Sequence, residues 1–491
     1  MMKANNARWF IGVFASLAGL YLVHLIPEPD QPQPLGAGKS QFQWQRDAYW
    51  QQLEFDFKQS RSTGCAALEP MIADGLTHLQ AQLTTLADTN LTAEAEWFDG
   101  FETNFFQLGP QIAACPERLD DYLTVFNQMR SLVKRQSRQW AMDSVAARER
   151  LYRTVYGGRA AIEEMLLQTS GEQSPLVMLG DDEPSAAPGA EVRGVILHSG
   201  DILVSRGGAA TSALIARGND FTGNFSHVAL VHVDEETRAV SVIESHIESG
   251  VGVFPIERYL SDTKLRIMVL RLRSDLSAIA SNPRLPHDAA TWARAEAQRR
   301  HIPYDFAMDF RDPAKQFCSE VVSAAYGEFG VSLWMGMSHL STPGVTAWLS
   351  TLGVRHFETQ EPSDLEYDPQ LAVVAEWRDP ETLLKDHVDN AVIDVLLEGA
   401  EAGEELTYNH WLLPMARGLK AWSVIKNQFG AVGPIPEGMS ATTALRVDRF
   451  TMRHQQVADR VLAGVAVFEA EQGYVPPYWE LLRMAREALD E

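Results

Sequence analysis

The sequence has 491 residues, 45% of them hydrophobic, and a net charge of -23, so the chain is long and apolar enough for two to four folded domains. The acidic balance argues against nucleic-acid binding and against adhesion to an anionic membrane by charge alone. With three cysteines and no CxxC, HExxH, GxxxxGK[ST] or acidic calcium-loop pattern, the sequence excludes a disulfide-dense scaffold and predicts no metal or nucleotide cofactor.

The N-terminus carries one apolar run, from Trp9 to Ile26, with Lys3 and Arg8 before it and the acidic segment 27–30 after it. The run is near the lower length limit of a membrane-spanning helix, and neither an Ala-x-Ala cleavage site nor a lipidation cysteine follows it. We therefore expect residues 1–27 to be a retained signal anchor, with a cleaved signal peptide as the alternative. The charge asymmetry predicts a single-pass inner-membrane protein with the bulk of the chain in the periplasm.

A flexible tether predicted over residues 28–40 leads to a region, 41–168, in which apolar residues recur at helical spacing. This pattern predicts a helical domain, and the domain carries no motif for chemistry. Cys65 and Cys115 both fall in it. In an oxidising compartment they would be able to pair and leave the third cysteine free, although two unrelated buried cysteines fit the sequence equally well. A second, polar linker is predicted over residues 169–192.

Two β-rich runs around the polar residues 234–237 predict an antiparallel hairpin. With those four residues as the loop, His227 lies directly opposite Glu244 on one face of the hairpin, about 5 Å away. A carboxylate holds a neighbouring histidine in one tautomer and makes it more basic, which suits a general base. His246 lies on the same face as Glu244 and is the alternative partner.

The stretch from Gln316 to Val322 predicts the start of a buried helix, with apolar residues at helical spacing beyond it and Gly330 as its end. Cys318 then lies in the first turn. There the unpaired backbone N–H groups and the helix dipole favour a thiolate over a thiol. That placement suits a nucleophile, and the alternative is a buried core cysteine.

Five segments occur in the order Gly200–Leu203, Ser226–Leu230, Val242–Glu244, Tyr304–Phe306 and Phe317–Val322. Their order and spacing resemble the YiiX/YaeF-like branch of the permuted papain-fold hydrolases, which are relatives of the NlpC-type cell-wall peptidases. In unpermuted members the cysteine helix precedes the histidine strand, whereas here the histidine comes first, as in the permuted branch. The resemblance covers roughly residues 197–376.

The resemblance implies an α+β domain over residues 193–378, with a permuted papain-like (NlpC-type) core in which a helix packs on a small antiparallel sheet. It implies Cys318 as the nucleophile, His227 as the base and Glu244 as the residue that orients the base. Tyr304 matches the family tyrosine that positions or polarises the substrate carbonyl. The other hairpin histidine remains the alternative third residue, and no cofactor is implied.

Residues 379–491 are predicted to form a second helical domain. Trp411 and Trp422 are expected to pack inside this domain rather than to line a groove. The sequence does not choose among a lid, a docking surface and a brace as the role of the domain.

Together these observations predict a membrane-anchored periplasmic cysteine hydrolase that cleaves an amide through a thioester intermediate. The compartment and the resemblance suggest peptide bonds of the cell wall as the substrate. The expected partners are an amide- or ester-bearing substrate of the cell envelope, the inner membrane and, through the helical domains, other proteins, but not nucleic acid. Two alternatives stay open: an acyltransferase or lipid-directed thiol hydrolase, and a catalytically silent scaffold or interaction protein.

Overall fold

The computed structural model describes residues 21–27, 36–44, 47–169 and 176–490. Most of the predicted membrane anchor, and most of the predicted tether, lie outside these ranges. Within the described part of the chain, no helix combines the length and the hydropathy that crossing a bilayer requires.

The N-terminal region is built from helices alone. They are α1 Asp47–Thr63, α2 Cys65–Ala87, α3 Glu96–Ala113, α4 Leu119–Ser137, α5 Val145–Leu151 and α6 Gly157–Gln168. The apolar positions of α2 that recur every three or four residues are buried on one face, namely Leu68, Ile72, Leu76, Leu79 and Leu83. A disulfide joins Cys65 at the start of α2 to Cys115 just after α3. The helical character predicted for this region is confirmed.

A seven-stranded antiparallel sheet lies at the centre of the molecule. The described part of the chain has eleven strands, seven of them in this sheet: β1 Val177–Leu179, β2 Gly189–Val192, β3 Val195–His198, β4 Ile202–Gly207, β5 His227–Val233, β6 Val240–His246, β7 Gly250–Pro255, β8 Lys264–Leu272, β9 Ser338–His339, β10 Glu358–Thr359 and β11 Leu371–Arg378. The order across the sheet is β1-β11-β8-β4-β5-β6-β7, and β2 pairs with β3 and β9 with β10 in separate two-stranded ladders.

Part of the segment predicted as the second linker belongs to these sheets. In β1, Val177 pairs with Trp377 of β11, and β2 forms a hairpin with β3. The short apolar run at residues 177–179 covers the backbone edge of β11, which would otherwise present unpaired N–H and C=O groups. Residues 170–175 lie outside the described ranges. Because residues 177–179 and 189–192 form strands, the prediction of a linker throughout 169–192 is wrong.

Seven helices accompany the sheet in this part of the described chain. They are α7 Ala210–Arg217, α8 Ile256–Ser261, α9 Ser277–Ser281, α10 Leu285–Arg299, α11 Cys318–Glu328, α12 Pro343–Thr351 and α13 Asp364–Tyr367. Helix α11 packs on β5 and β6, and α10 packs on α11. Val321 and Val322 of α11 share a buried apolar cluster with Val228 and Leu230 of β5. The helix-on-antiparallel-sheet arrangement predicted for the α+β core is confirmed.

The β5–β6 hairpin has a different register from the predicted one. Glu244 pairs with Ala229, not with His227, because the loop is two residues longer than the four predicted. The Asp234 side chain accepts hydrogen bonds from the N–H groups of Glu236 and Thr237. The loop also absorbs Arg238, which adopts a left-handed φ of 59°. The shift is even, so every side chain of β6 keeps its predicted face.

The C-terminal region contains α14 Pro380–Glu401, α15 Leu413–Gln428, α16 Ala441–Gln472 and α17 Tyr478–Asp490. Helices α14, α16 and α17 pack on one another, and α14 also contacts α7 and β8. The expectation that Trp411 and Trp422 are packed inside this region is wrong, since these side chains are 69% and 54% exposed. Trp422 lies on α15, whose main contact with the other helices of the region is with α16, and Trp411 lies just before α15.

A buried ion-pair network joins the three regions. Glu163 of α6 accepts a hydrogen bond from Arg266 of β8 at 2.5 Å and lies 3.1 Å from Arg378 of β11. Asp386 of α14 pairs with Arg266 and lies 3.2 Å from Arg206 of β4. All five side chains are almost fully buried, and an unpaired charge at such depth is strongly destabilising. The network therefore couples both helical regions to the sheet.

Candidate active site

The first turn of α11 positions Cys318 at the sheet. Phe317 has an extended backbone and precedes the helix, and its N–H donates to the Glu320 carboxylate at 2.8 Å, which stabilises this helix start. Cys318 is the first helical residue and is 5% exposed. Its Sγ lies 4.0 Å from the carbonyl oxygen of Ser226, the residue before β5. Cys318 therefore lies beside the N-terminal end of β5, which begins at His227.

His227 and Glu244 are hydrogen-bonded across the β5–β6 hairpin. His227 Nε2 lies 2.6 Å from Glu244 Oε2. A carboxylate at that distance accepts from Nε2–H, so the other ring nitrogen, Nδ1, is left unprotonated in the neutral imidazole. The imidazole is mostly buried and the carboxylate almost completely so. Glu244 therefore selects the tautomer in which Nδ1 is able to accept a proton.

His246 reaches the same carboxylate from the other side. Its Nε2 lies 3.0 Å from Glu244 Oε1, although without hydrogen-bond geometry. The ring centroids of the two histidines are 5.8 Å apart. Both predicted partners of His227 therefore lie at the site, with Glu244 in direct contact and His246 behind it.

Burial sets the charge state of the site. It raises the pKa of the Cys318 thiol to about 12, and nearby N–H groups of Val228 and Ser319 oppose this only in part. It also lowers the pKa of His227, against the effect of the Glu244 carboxylate. Burial acts to raise the pKa of Glu244 too, but its contacts with His227 and His246 hold that pKa well below its usual range. The site at neutral pH is a neutral thiol, a neutral imidazole and a carboxylate.

This charge state corrects two expectations from the sequence. The helix start was expected to favour a thiolate at Cys318, and the carboxylate was expected to make His227 more basic. Desolvation penalises the charged forms of both groups and is the larger effect in each case. Depth of burial depends on the packing of distant segments, so the local sequence does not indicate it.

Tyr304 lies at the same end of the sheet. The preceding residues are fixed by Val251 N–H donating to Ile302 O at 2.9 Å, and by Gln316 N–H donating to Pro303 O at 3.0 Å. Gly250 permits this approach, since its φ is +71° and a Cβ there would lie 2.1 Å from Ile302 O. Burial and the neighbouring Cys318 raise the pKa of Tyr304 well above its usual value, so its hydroxyl remains a proton donor.

Two residues at the site were missed by sequence reasoning. Tyr259 of α8 is fully buried, and its ring lies 6.5 Å from that of His227, with the planes 28° apart. Glu361 is also buried and interacts electrostatically with Cys318 and Tyr304, and burial raises its pKa to about 8. Neither residue belongs to a recognisable sequence motif. Each lies well away in the sequence from both His227 and Cys318, so local patterns do not indicate that it contacts the site.

The acidic residues near the nucleophile serve the backbone. Asp305 accepts hydrogen bonds from the N–H groups of Ala307 and Asp309, so its carboxylate stabilises the turn after Tyr304. In the described ranges, the one group of side chains spaced for a metal ion contains the disulfide-bonded Cys65 and Cys115. Disulfide sulfurs are not thiolate ligands.

Comparison with known proteins gives a family match over the central part of the chain. Residues 196–375 match the model described as permuted papain-like amidase enzyme, YaeF/YiiX, C92 family. This part of the chain is a permuted papain-like amidase domain. The family consists of papain-like amidase enzymes, and the chain is accordingly a hydrolase of the cysteine amidase or peptidase type.

Among solved structures, the chain is similar to one described as metalloprotein YiiX from Escherichia coli O157:H7. The identity is 20%, the match covers 36% of this chain and 95% of that chain, and the TM-score is 0.28. A search of the curated proteins finds no match. The amidase domain contains Cys318, His227, Glu244 and Tyr304, while both helical regions lie outside it.

Proposed function

We propose that the protein cleaves an amide with Cys318 as nucleophile, His227 as general base and Glu244 as the residue that orients the base. The observation that carries this proposal is the 2.6 Å hydrogen bond between His227 Nε2 and Glu244, at the start of β5 beside Cys318. It leaves Nδ1 as the nitrogen that accepts the thiol proton.

In the proposed reaction the Cys318 S–H proton moves to His227 Nδ1 as Sγ attacks the carbonyl carbon. Because the resting thiol and imidazole are both neutral, this transfer accompanies the attack rather than preceding it. The tetrahedral intermediate collapses when His227 returns the proton to the leaving amine, and a thioester to Cys318 remains. Water then attacks the thioester with His227 again as base, which releases a carboxylic acid and restores the thiol.

Negative charge develops on the carbonyl oxygen during both attacks. The unpaired N–H groups at the start of α11 are suited to stabilise it, since they point out of the helix beside Cys318. Tyr304 is the second proposed donor, and its raised pKa keeps the hydroxyl protonated. Glu244, whose pKa is depressed, carries the charge that balances the imidazolium formed in each step.

We place this reaction in the periplasm, at the inner membrane, with an amide of the cell envelope as substrate. The apolar run Trp9–Ile26 and the charges around it support the membrane assignment. The disulfide between Cys65 and Cys115 supports an oxidising compartment, and the free Cys318 supports a thiol enzyme within it.

Product analysis tests the proposal. The full chain is incubated with peptidoglycan fragments and, separately, with acyl-lipid mixtures. Mass spectrometry then follows both the new amino groups and the adducts on Cys318. We expect amide cleavage with a thioester on Cys318, lost in Cys318→Ala and unaffected by Glu248→Gln, an exposed carboxylate in the turn after β6. Acyl transfer between lipids without amide cleavage would contradict the amidase assignment. A Cys318 that reacts with neither mixture nor with iodoacetamide would indicate a scaffold.

A further inference from the structure

Helix α15 is attached to the protein by one narrow face. Its buried residues are Leu413, Ala416 and Ser423, and Leu413 and Ala416 form a small apolar cluster with Ala441 at the start of α16. Ser423 accepts a hydrogen bond from the N–H of Ile435 at 3.0 Å and so ties the following loop to the helix. Most of the circumference of α15 is therefore open.

The open side of α15 is apolar. It carries Met415, Leu419, Trp422 and Ile425, and Trp411 just before the helix and Phe429 just after it continue the same surface. The six side chains are between 41% and 83% exposed, and we refer to these six residues as the apolar face. Isolated exposed apolar residues are normal, but a continuous set that includes two tryptophans and a phenylalanine marks an interaction surface. The arrangement matches that of an interfacial amphipathic helix, in which Trp, Phe and Leu enter the lipid headgroup region.

The charge around the apolar face is opposite to that of the protein. The whole chain has a net charge of -23, yet no acidic residue occurs between Glu405 and Glu437. The same interval contains Arg417, Lys420 and Lys426. Basic residues beside an apolar surface are attracted to anionic lipid headgroups. In a two-fold contact between two copies of the chain, the same basic residues would face one another and repel.

The apolar face is continuous with the end of the N-terminal apolar run. The Tyr21 hydroxyl donates to Trp411 O at 2.8 Å, and Arg417 donates to His24 O at 2.8 Å. Leu22 and Ile26 are each more than 60% exposed on the same segment. In the sequence this apolar run extends back to Trp9. If the run inserts into a membrane, its contacts with α15 bring α15 to the surface of that membrane.

We propose that α15 docks on the surface of an anionic lipid bilayer through its apolar face. The proposal rests on the membrane location given under the proposed function and adds a second contact, made by the C-terminal region. Lys420 donates to the carbonyl oxygens of Pro436 and Glu437, and Gly438 packs against Phe306. Through these contacts α15 is connected to a cleft of about 900 Å³ that runs from Tyr304 and Phe306 to Met439. Docking of α15 therefore brings this cleft close to the membrane.

The test uses the full chain with Cys318→Ser, so that catalysis plays no part in the outcome. A cysteine at Phe429, the most exposed residue of the apolar face, carries an environment-sensitive fluorophore. The matched control is Val467→Cys, another exposed apolar position, on α16. Vesicles of phosphatidylcholine with or without phosphatidylglycerol are used, and sedimentation reports independently whether the protein is bound.

With phosphatidylglycerol we expect a blue shift and a several-fold rise of fluorescence at position 429, with quenching by brominated lipid. In the Val467→Cys control, which should sediment with the vesicles equally well, the fluorescence of the label should remain unchanged. Lys426→Glu should weaken the fluorescence response at position 429. Membrane-bound protein with a water-exposed label at 429 would overturn the docking proposal while leaving the anchor intact. A blue-shifted label without lipid would also overturn it, because the run Trp9–Leu20 or a second copy would then cover the face.

Discussion

His227 and Glu244 are not paired in the β5–β6 ladder, yet their side chains are hydrogen-bonded at 2.6 Å. Glu244 pairs with Ala229, so its carboxylate reaches His227 along a diagonal of the same face. Diagonal neighbours on one face of a hairpin are within reach of long side chains. The hydrogen bond therefore requires only that the two side chains lie on the same face of the hairpin, not that the residues are directly opposite. The predictions about catalysis depend on this bond.

The first prediction concerns the orienting residue. Glu244→Gln keeps the shape of the side chain but removes the charge that balances the imidazolium, so kcat should fall by about 100-fold or more, the scale of a general-base contribution. His246→Asn should be mild, since His246 lacks hydrogen-bond geometry to Glu244. The measurement is amide turnover, with Glu248→Gln as the control. A crippled His246→Asn variant beside a nearly normal Glu244→Gln variant would reverse the assignment.

The second prediction concerns the charge state of Cys318. Burial raises its pKa to about 12 and lowers that of His227, so the thiolate fraction grows with pH throughout the neutral range. The rate of iodoacetamide modification should therefore rise about tenfold per pH unit between about pH 6 and about pH 9. Peptide mapping of the modified cysteine measures this rate. A rate that is flat across neutral pH would instead show a preformed thiolate–imidazolium pair.

The third prediction concerns the disulfide. Cys65 and Cys115 are separated by 50 residues, and closing a loop of that length contributes about 4 kcal/mol of stability in the chain-entropy estimate. Cys65→Ser with Cys115→Ser should lower the free energy of unfolding by roughly 2–5 kcal/mol, measured by urea denaturation. Non-reducing digestion should yield a peptide that joins the two cysteines. Finding Cys318 in any disulfide would count against its role as nucleophile.

The fourth prediction concerns the buried ion-pair network. Burial acts to raise the pKa of Glu163, but Arg266, Arg159 and Arg378 hold it well below its usual range. Glu163→Gln removes the buried anion that these three cations share and should cost about 3–5 kcal/mol in urea denaturation. The control is Glu398→Gln, which breaks the exposed pair with Arg486 and should cost less than about 1 kcal/mol. Equal costs would contradict the structural role of the network.

The same network sets the direction of the pH dependence. Because the folded-state pKa of Glu163 is depressed, its stabilising contribution is present above the unfolded pKa and is lost as pH falls through the folded value. The wild type should therefore lose more stability than Glu163→Gln on acidification from neutral pH to below about pH 4. Denaturation midpoints of the two proteins across that range measure the difference. Parallel losses in both would contradict it.

The fifth prediction concerns topology. The charges around Trp9–Ile26 predict that the region after residue 40 lies in the periplasm. A reporter that is active only in the periplasm should be active when fused after residue 40, and the protein should remain with membranes after high-salt and alkaline washes. A soluble form that begins near residue 28 would show instead that the run is a cleaved signal peptide.

Motif order alone was enough to identify the amidase domain and the candidate nucleophile, base and orienting residue. The reason lies in the period of the β-strand. Successive side chains alternate between faces, so a register error of two residues changes the partner of Glu244 but not the face it shares with His227. Helical spacing likewise identified the helical N-terminal region and the start of α11 at Cys318, because 3.6-residue periodicity is a local property.

Only the tertiary structure decided the properties that depend on distant segments. Tyr259 and Glu361 reach the site from elements with no motif of their own. Burial of Cys318 in the folded core reverses its expected charge state. The sequence also could not predict the exposure of Trp422, because a helix has the same apolar pattern whether its apolar face is covered by other segments or open to solvent. Local patterns determine which face a residue occupies. Desolvation and exposure depend on what the rest of the chain packs against that face.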